Sequence, residues 1–101
     1  MTPEAALKAK IKAYLKKNYP QAVQFSPIAG RFSTIGVSDI VCCIEGRFVA
    51  LEVKVPGNHA TTLQKDFIMR VEAAGGIAGV VYSVTDVDTL LKQGNLSKEV
   101  K

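Results

Sequence analysis

The stretch Ser38–Gly57, SDIVCCIEGRFVALEVKVPG, decides the fold. It contains two β-rich runs that meet at Glu45-Gly46, a pair suited to a two-residue hairpin turn because glycine accepts left-handed dihedrals. With that turn Ile44 opposes Arg47 and the numbers of every opposed pair sum to 91, so Asp39 faces Glu52. Lys54 stands two residues beyond Glu52, hence on the same face and roughly 6–7 Å further along the strand. Val49, Leu51, Val53 and Val55 take the opposite face. Phe48 and Ala50 share the charged face, which predicts a strand covered on both sides near its start.

Upstream, Leu7, Ile11, Tyr14 and Leu15 recur at helical spacing from Pro3 to about Asn18, with Thr2 as N-cap and Pro3 in the first turn. Lys8, Lys10, Lys12, Lys16 and Lys17 surround this stripe, either as a solvated face or as phosphate contacts. A short strand, AVQFSPI (22–28), and a glycine-bounded loop, AGRFSTIGV (29–37), lead into the hairpin. Downstream, Pro56-Gly57 ends the second hairpin strand. Thr61 and Gln64 have the spacing of a reciprocal helix cap, for a helix that runs to about Ala74 with Phe67, Ile68 and Val71 as its buried stripe. Gly75-Gly76 stops it, IAGVVYS (77–83) reads as a buried strand, and a last helix is expected from Asp86 to Gln93 with Thr85 as cap. Gly94 ends that helix, and 95–101 reads as a polar tail. The order is α-β-β-β-α-β-α, an α/β fold with a mixed β-sheet core flanked by helices.

A chain of 101 residues, 48% apolar and 22% charged, suits one domain spanning 1–101 and excludes wholesale disorder. Thirteen Lys and Arg against nine Asp and Glu give a formal charge of +4. This balance admits nucleic acid, an acidic protein or an anionic surface as partner without choosing among them. Cys42 and Cys43 are adjacent on a strand and point to opposite faces, so they make neither a favourable mutual disulfide nor a zinc knuckle. Charges interrupt the first seventeen residues, and no run reaches the ~20 apolar residues of a membrane span. The expectation is an intracellular, soluble protein.

Opposing Asp39 to Glu52 concentrates two negative charges, which costs free energy unless a proton or cation compensates. A divalent cation answers that cost, and magnesium prefers a few carboxylates with retained waters. On a phosphodiester such an ion neutralises developing charge and helps generate the attacking hydroxide. Lys54 then holds the scissile phosphate or orients water. A surface salt-bridge cluster, with Lys54 merely paired to Glu52, is the alternative from geometry alone.

Three segments carry a family resemblance across nearly the whole chain: G-x-x-x-x-x-G-x-S-D-I from Gly30 to Ile40, G-R-F-V-A-L-E-V-K from Gly46 to Lys54, and T-x-x-Q ahead of F-I-x-x-V-x-x-A-G-G. Together they resemble the virus-type replication-repair nuclease domain, VRR-NUC, of the PD-(D/E)XK restriction-endonuclease-like superfamily, in its stand-alone phage type. Ser38 replaces the superfamily's nominal proline before Asp39, a variant familiar in this subgroup.

The resemblance implies a restriction-endonuclease-like fold and a DNA endonuclease dependent on Mg²⁺ or Mn²⁺, leaving 5′-phosphate and 3′-hydroxyl ends. It makes Asp39 and Glu52 metal-binding carboxylates, the Val53 carbonyl a further oxygen ligand and Lys54 the catalytic lysine. Glu4, the only acidic residue upstream of Asp39, fills the role of the family's helix-one glutamate, against its plain reading as a first-turn acid favoured by the helix dipole. Gln64 matches the family's helix-borne glutamine, with a simple capping role as the alternative. Arg31, Lys65 and Arg70 are candidate DNA-backbone contacts. His59, in a loop without a nucleophile beside it, is expected to face solvent. Stand-alone phage members resemble Holliday-junction resolvases in arrangement, which implies a homodimer, branched DNA as substrate and, for a phage-encoded protein, the cytoplasm of a bacterial host. A non-catalytic nucleic-acid-binding or structural domain, a protein-interaction module, and a flap or nicking nuclease are the competing functions.

Overall fold

The computed structural model describes residues 1–27 and 36–98. Its elements are α1 (Pro3–Asn18), β1 (Val23–Phe25), β2 (Ile40–Ile44), β3 (Arg47–Val53), α2 (Thr62–Ala73), β4 (Ile77–Val81) and α3 (Val84–Gln93), the α-β-β-β-α-β-α order expected. They build one four-stranded mixed sheet in the order β1-β2-β3-β4.

The hairpin has the register that the turn dictates. Ile40 pairs with Leu51, Cys42 with Val49 and Ile44 with Arg47. Glu45 and Gly46 both have positive φ, 51° and 77°, as a type I′ turn requires at its two central residues. Such a turn matches the right-handed twist of the flanking strands, so a local choice at two residues sets the register of the whole ribbon. The α2 crossover then returns the chain so that β4 runs parallel to β3, with Glu52 beside Val80 and Val53 beside Val81.

Alternation along β3 divides the core. Val49, Leu51 and Val53 pack with Ile11 and Leu15 of α1 and Val87 and Leu91 of α3. On the other face Ala50 and Ala78 receive Ile68 and Val71 of α2. Removing water from each large aliphatic side chain contributes about 1.5–3 kcal/mol, which makes β3, buried on both faces along most of its length, the centre of the molecule. Phe48 departs from the expectation of two-sided cover: it is 46% exposed at the turn end of the hairpin.

Caps and polar anchors fix the helices. Thr2 accepts the Ala5 N–H, and Thr61 and Gln64 form the reciprocal capping box. The Arg47 guanidinium donates to the carbonyls of Gly75 and Gly94, placing a cation at the C-terminal ends of α2 and α3, where helix carbonyls carry partial negative charge. The Tyr14 hydroxyl donates to Asp88 at 2.6 Å and joins α1 to α3. That hydrogen bond, followed by one from Lys92, holds the Asp88 carboxyl at about 2.

Three further expectations are corrected. The first strand is Val23–Phe25, shorter than residues 22–28. The last helix starts at Val84, because Ser83, not Thr85, caps it by accepting the Asp86 N–H. The segment after Gly94 is not simply a polar tail, since Leu96 is buried in the core beside α3. Cys42 is buried and Cys43 exposed, both as free thiols.

Candidate active site

The site lies where β2 begins and β3 ends. Asp39 immediately precedes β2, Glu52 is the penultimate residue of β3, and Lys54 follows that strand. Extending the hairpin register by one pair sets Asp39 against Glu52. Asp39 is also tied across the ribbon, its Oδ2 accepting the Val53 N–H at 2.8 Å. This bond holds the carboxylate at the sheet end and points it at the same backbone that carries Glu52.

Glu52 is only 1% exposed. Its Oε2 lies 3.7 Å from the Lys54 ammonium, while its Oε1 is buried with no hydrogen-bond partner. Burial pushes its carboxyl up to about 8, and the neighbouring Asp39 carboxylate adds to this against the opposing pull of Lys54. A carboxyl in this position takes a proton unless a cation replaces it. The orphaned Oε1 supplies the test of whether a divalent ion suits the site. A buried, unpaired oxygen beside a second carboxylate fits a hard cation that seeks oxygen donors.

The other side of Asp39 is occupied. Lys8 of α1 places its ammonium 3.2 Å from Asp39 Oδ1 and 3.6 Å from Glu4 Oε2. Desolvation lowers the Lys8 pKa, but Asp39 and Glu4 outweigh it and the net shift is upward. Glu4 is thus linked to Asp39 through a lysine. Among the described residues, no three His, Cys, Asp or Glu side chains gather into a group that could hold a metal ion.

By sequence, no family model matches the chain, and no curated protein matches it. By structure it is similar to a "VRR_NUC domain protein" with a TM-score of 0.70 and 19% identity, over 91% of this chain and 87% of that one. A second solved structure, a "VRR_NUC domain", has a TM-score of 0.63 and 20% identity, over 83% of this chain and 92% of the other. The chain has the VRR-NUC fold.

Within the VRR-NUC fold the other predicted residues fall into different places. Gln64 accepts the Thr61 N–H through Oε1 at 2.8 Å, which realises the capping alternative and turns its side-chain oxygen to the cap and not to the carboxylates. The first turn of α2 nevertheless backs onto the approach to Asp39. Gly36 has φ +78°, and a Cβ there would clash with the Leu63 carbonyl oxygen. Lys65 is exposed, and Arg70 pairs with Asp66 at 3.1 Å while its guanidinium lies over the Phe67 ring. His59 is exposed, as expected. Arg31 lies outside the described residues.

Lys8 is the residue that sequence reasoning missed as a site member. The available signal was its spacing of four from Glu4, which puts both on one face of α1. That spacing does not reveal that the face meets Asp39, a contact between residues far apart in sequence.

Proposed function

We propose that this VRR-NUC-fold chain is a nuclease that hydrolyses DNA phosphodiester bonds with Mg²⁺ or Mn²⁺, acting as a homodimer on branched, junction-like DNA. The observation that carries the reading is the Asp39–Glu52–Lys54 cluster with its buried, unpaired Glu52 oxygen. Surface salt bridges do not require a carboxylate to be buried with an oxygen unmatched. The structural likeness to VRR_NUC domains supports the nuclease assignment through fold.

Asp39, Glu52 and the Val53 carbonyl would hold the ion; Glu4, linked to Asp39 through Lys8, would add a further carboxylate only once that lysine moves aside. When bound, a divalent cation offsets charge building on the phosphate and makes water easier to deprotonate. The chain's own contribution is positioning. The Val53 N–H orients Asp39, and β3, packed on both faces, fixes Glu52. Lys54 would turn its ammonium from Glu52 to a phosphate oxygen and stabilise charge there. The net positive charge favours the DNA backbone. The preference for branched DNA extends from the motif resemblance. A core this small gains footprint by pairing two copies, which offers one active site to each of two strands.

The test is cleavage of end-labelled four-way-junction, flap, duplex and single-stranded DNA with Mg²⁺, Mn²⁺ or EDTA, comparing wild type with folded E52Q and K54M. Paired nicks at junctions are expected, abolished by EDTA and reduced by at least ~100-fold in each variant. Wild-type rates in both folded variants, or DNA binding without cleavage of any substrate, would overturn the assignment.

A further inference from the structure

Lys8 stands where a bound cation would compete for Asp39. Asp39 has two carboxylate oxygens, and both are engaged: Oδ2 by the Val53 N–H at 2.8 Å and Oδ1 by the Lys8 ammonium at 3.2 Å. Glu52 differs, since its Oε1 has no partner. The two carboxylates are therefore unequally prepared for a cation, Glu52 offering an open oxygen and Asp39 offering one that is already paired.

We infer that Lys8 is a built-in counter-cation, which neutralises Asp39 in the metal-free protein and is repelled from it when a divalent ion is taken up. The inference rests on the metal-dependent reading above. Two features separate this arrangement from an ordinary helix-surface pair. A Glu4–Lys8 pair alone would be a local i,i+4 contact worth a few tenths of a kcal/mol. Lys8 instead also reaches a carboxylate on another element, half-buried Asp39, which stands beside the buried Glu52. Its side chain is 31% exposed, so the ammonium can swing into water on its long stem without moving the backbone of α1. The Val53 N–H cannot leave in this way, because it belongs to the main chain of the central strand. Displacement of Lys8 thus frees Oδ1 while Oδ2 keeps Asp39 oriented.

The consequence is a lowered affinity for divalent ions. Lys8 stabilises the empty site and contributes nothing to the loaded one, so its removal tightens binding.

The test is titration of the EDTA-treated, full-length protein with Mn²⁺, followed by calorimetry and by the spin-resonance signal of free Mn²⁺. Wild type is compared with Lys8→Met and with Lys16→Met, which removes the same charge from an exposed position of α1. Lys8→Gln serves if the methionine variant does not fold by circular dichroism. Tightening by at least ~5-fold is expected in the Lys8 variant, with Lys16→Met unchanged. Wild-type or weaker affinity in a folded Lys8 variant overturns the inference and leaves the nuclease reading standing. Equal tightening in Lys16→Met overturns it too, by assigning the effect to bulk charge. Failure of wild type and every variant to bind Mn²⁺ brings down both this inference and the metal-dependent reading.

Discussion

Asp39 accepts the Val53 N–H at 2.8 Å across the hairpin, so the same carboxylate that faces Glu52 also anchors the strand that carries it. A structural bond and a chemical role therefore meet in one side chain. Asp39→Asn keeps an acceptor for Val53, whereas Asp39→Ala leaves a part-buried N–H without one. Asp39→Ala is expected to lose about 1–3 kcal/mol relative to Asp39→Asn in urea unfolding, while on the proposed function neither variant cleaves DNA. Equal stability of the two variants would show that the bond contributes little.

Glu52 is held at a cost to stability. Its folded-state pKa is raised from 4.5 to about 8, so the folded chain binds this proton more tightly than the unfolded chain. Stability from this group is present at low pH and declines as pH rises from about 4.5 to 8. In EDTA, Glu52→Gln is expected to match wild type near the lower limit and to exceed it by roughly 1–3 kcal/mol at the upper one. Adding Mn²⁺ should raise the melting temperature of wild type and not that of Glu52→Gln. Thermal melts across pH, with and without the ion, check both statements.

Asp88 has the opposite sign. Its carboxyl is lowered from 3.8 to about 2, first by the hydrogen bond from Tyr14. Its contribution is fully present above the unfolded value and is lost as pH falls from about 4 toward 2. Asp88→Asn should therefore melt below wild type at pH 5 and converge with it as pH approaches 2. A gap that persists at pH 2 would place the effect in packing between α1 and α3.

Gly36 tests how tightly the approach to Asp39 is clamped. Alanine there is strained by the positive φ and also drives its Cβ into the Leu63 carbonyl, a backbone atom that cannot swing aside. Gly57 has a similar φ, +95°, but open space where the Cβ would go. Gly36→Ala is expected to cost about 2–4 kcal/mol and Gly57→Ala about 1–2 in chemical denaturation, the difference measuring the clash alone. Equal costs would mean that α2 shifts to accommodate the methyl group.

The elements most readable from the chain are those whose causes are local. Glu45-Gly46 selects a turn with two positive φ angles, and the turn sets the pairing of Ile44 with Arg47 and every pair behind it. Thr61 and Gln64 carry both halves of their cap within one helical turn. Thr85, the cap expected from sequence, is displaced by Ser83, which accepts the Asp86 N–H. The helix begins early enough for Ser83 to cap it, with Asp86 also accepting the Tyr82 N–H at the strand exit. Leu96 read as part of a tail because a lone leucine has no periodicity, yet packing beside Leu91 buries it.

The candidate site divides in the same way. Asp39, Glu52 and Lys54 were brought together by alternation and register alone, since strand geometry and a two-residue turn are short-range and nearly rigid. The burial of Glu52 to 1% exposure, the orphaned Oε1 and the insertion of Lys8 beside Asp39 depend on how α1 and α2 sit at the end of the sheet. Those relations join residues from separate elements, and their energies arise from desolvation and charge at distances that only packing sets. The chain's order of residues therefore specifies which carboxylates meet, while the packed molecule decides which of their oxygens are free.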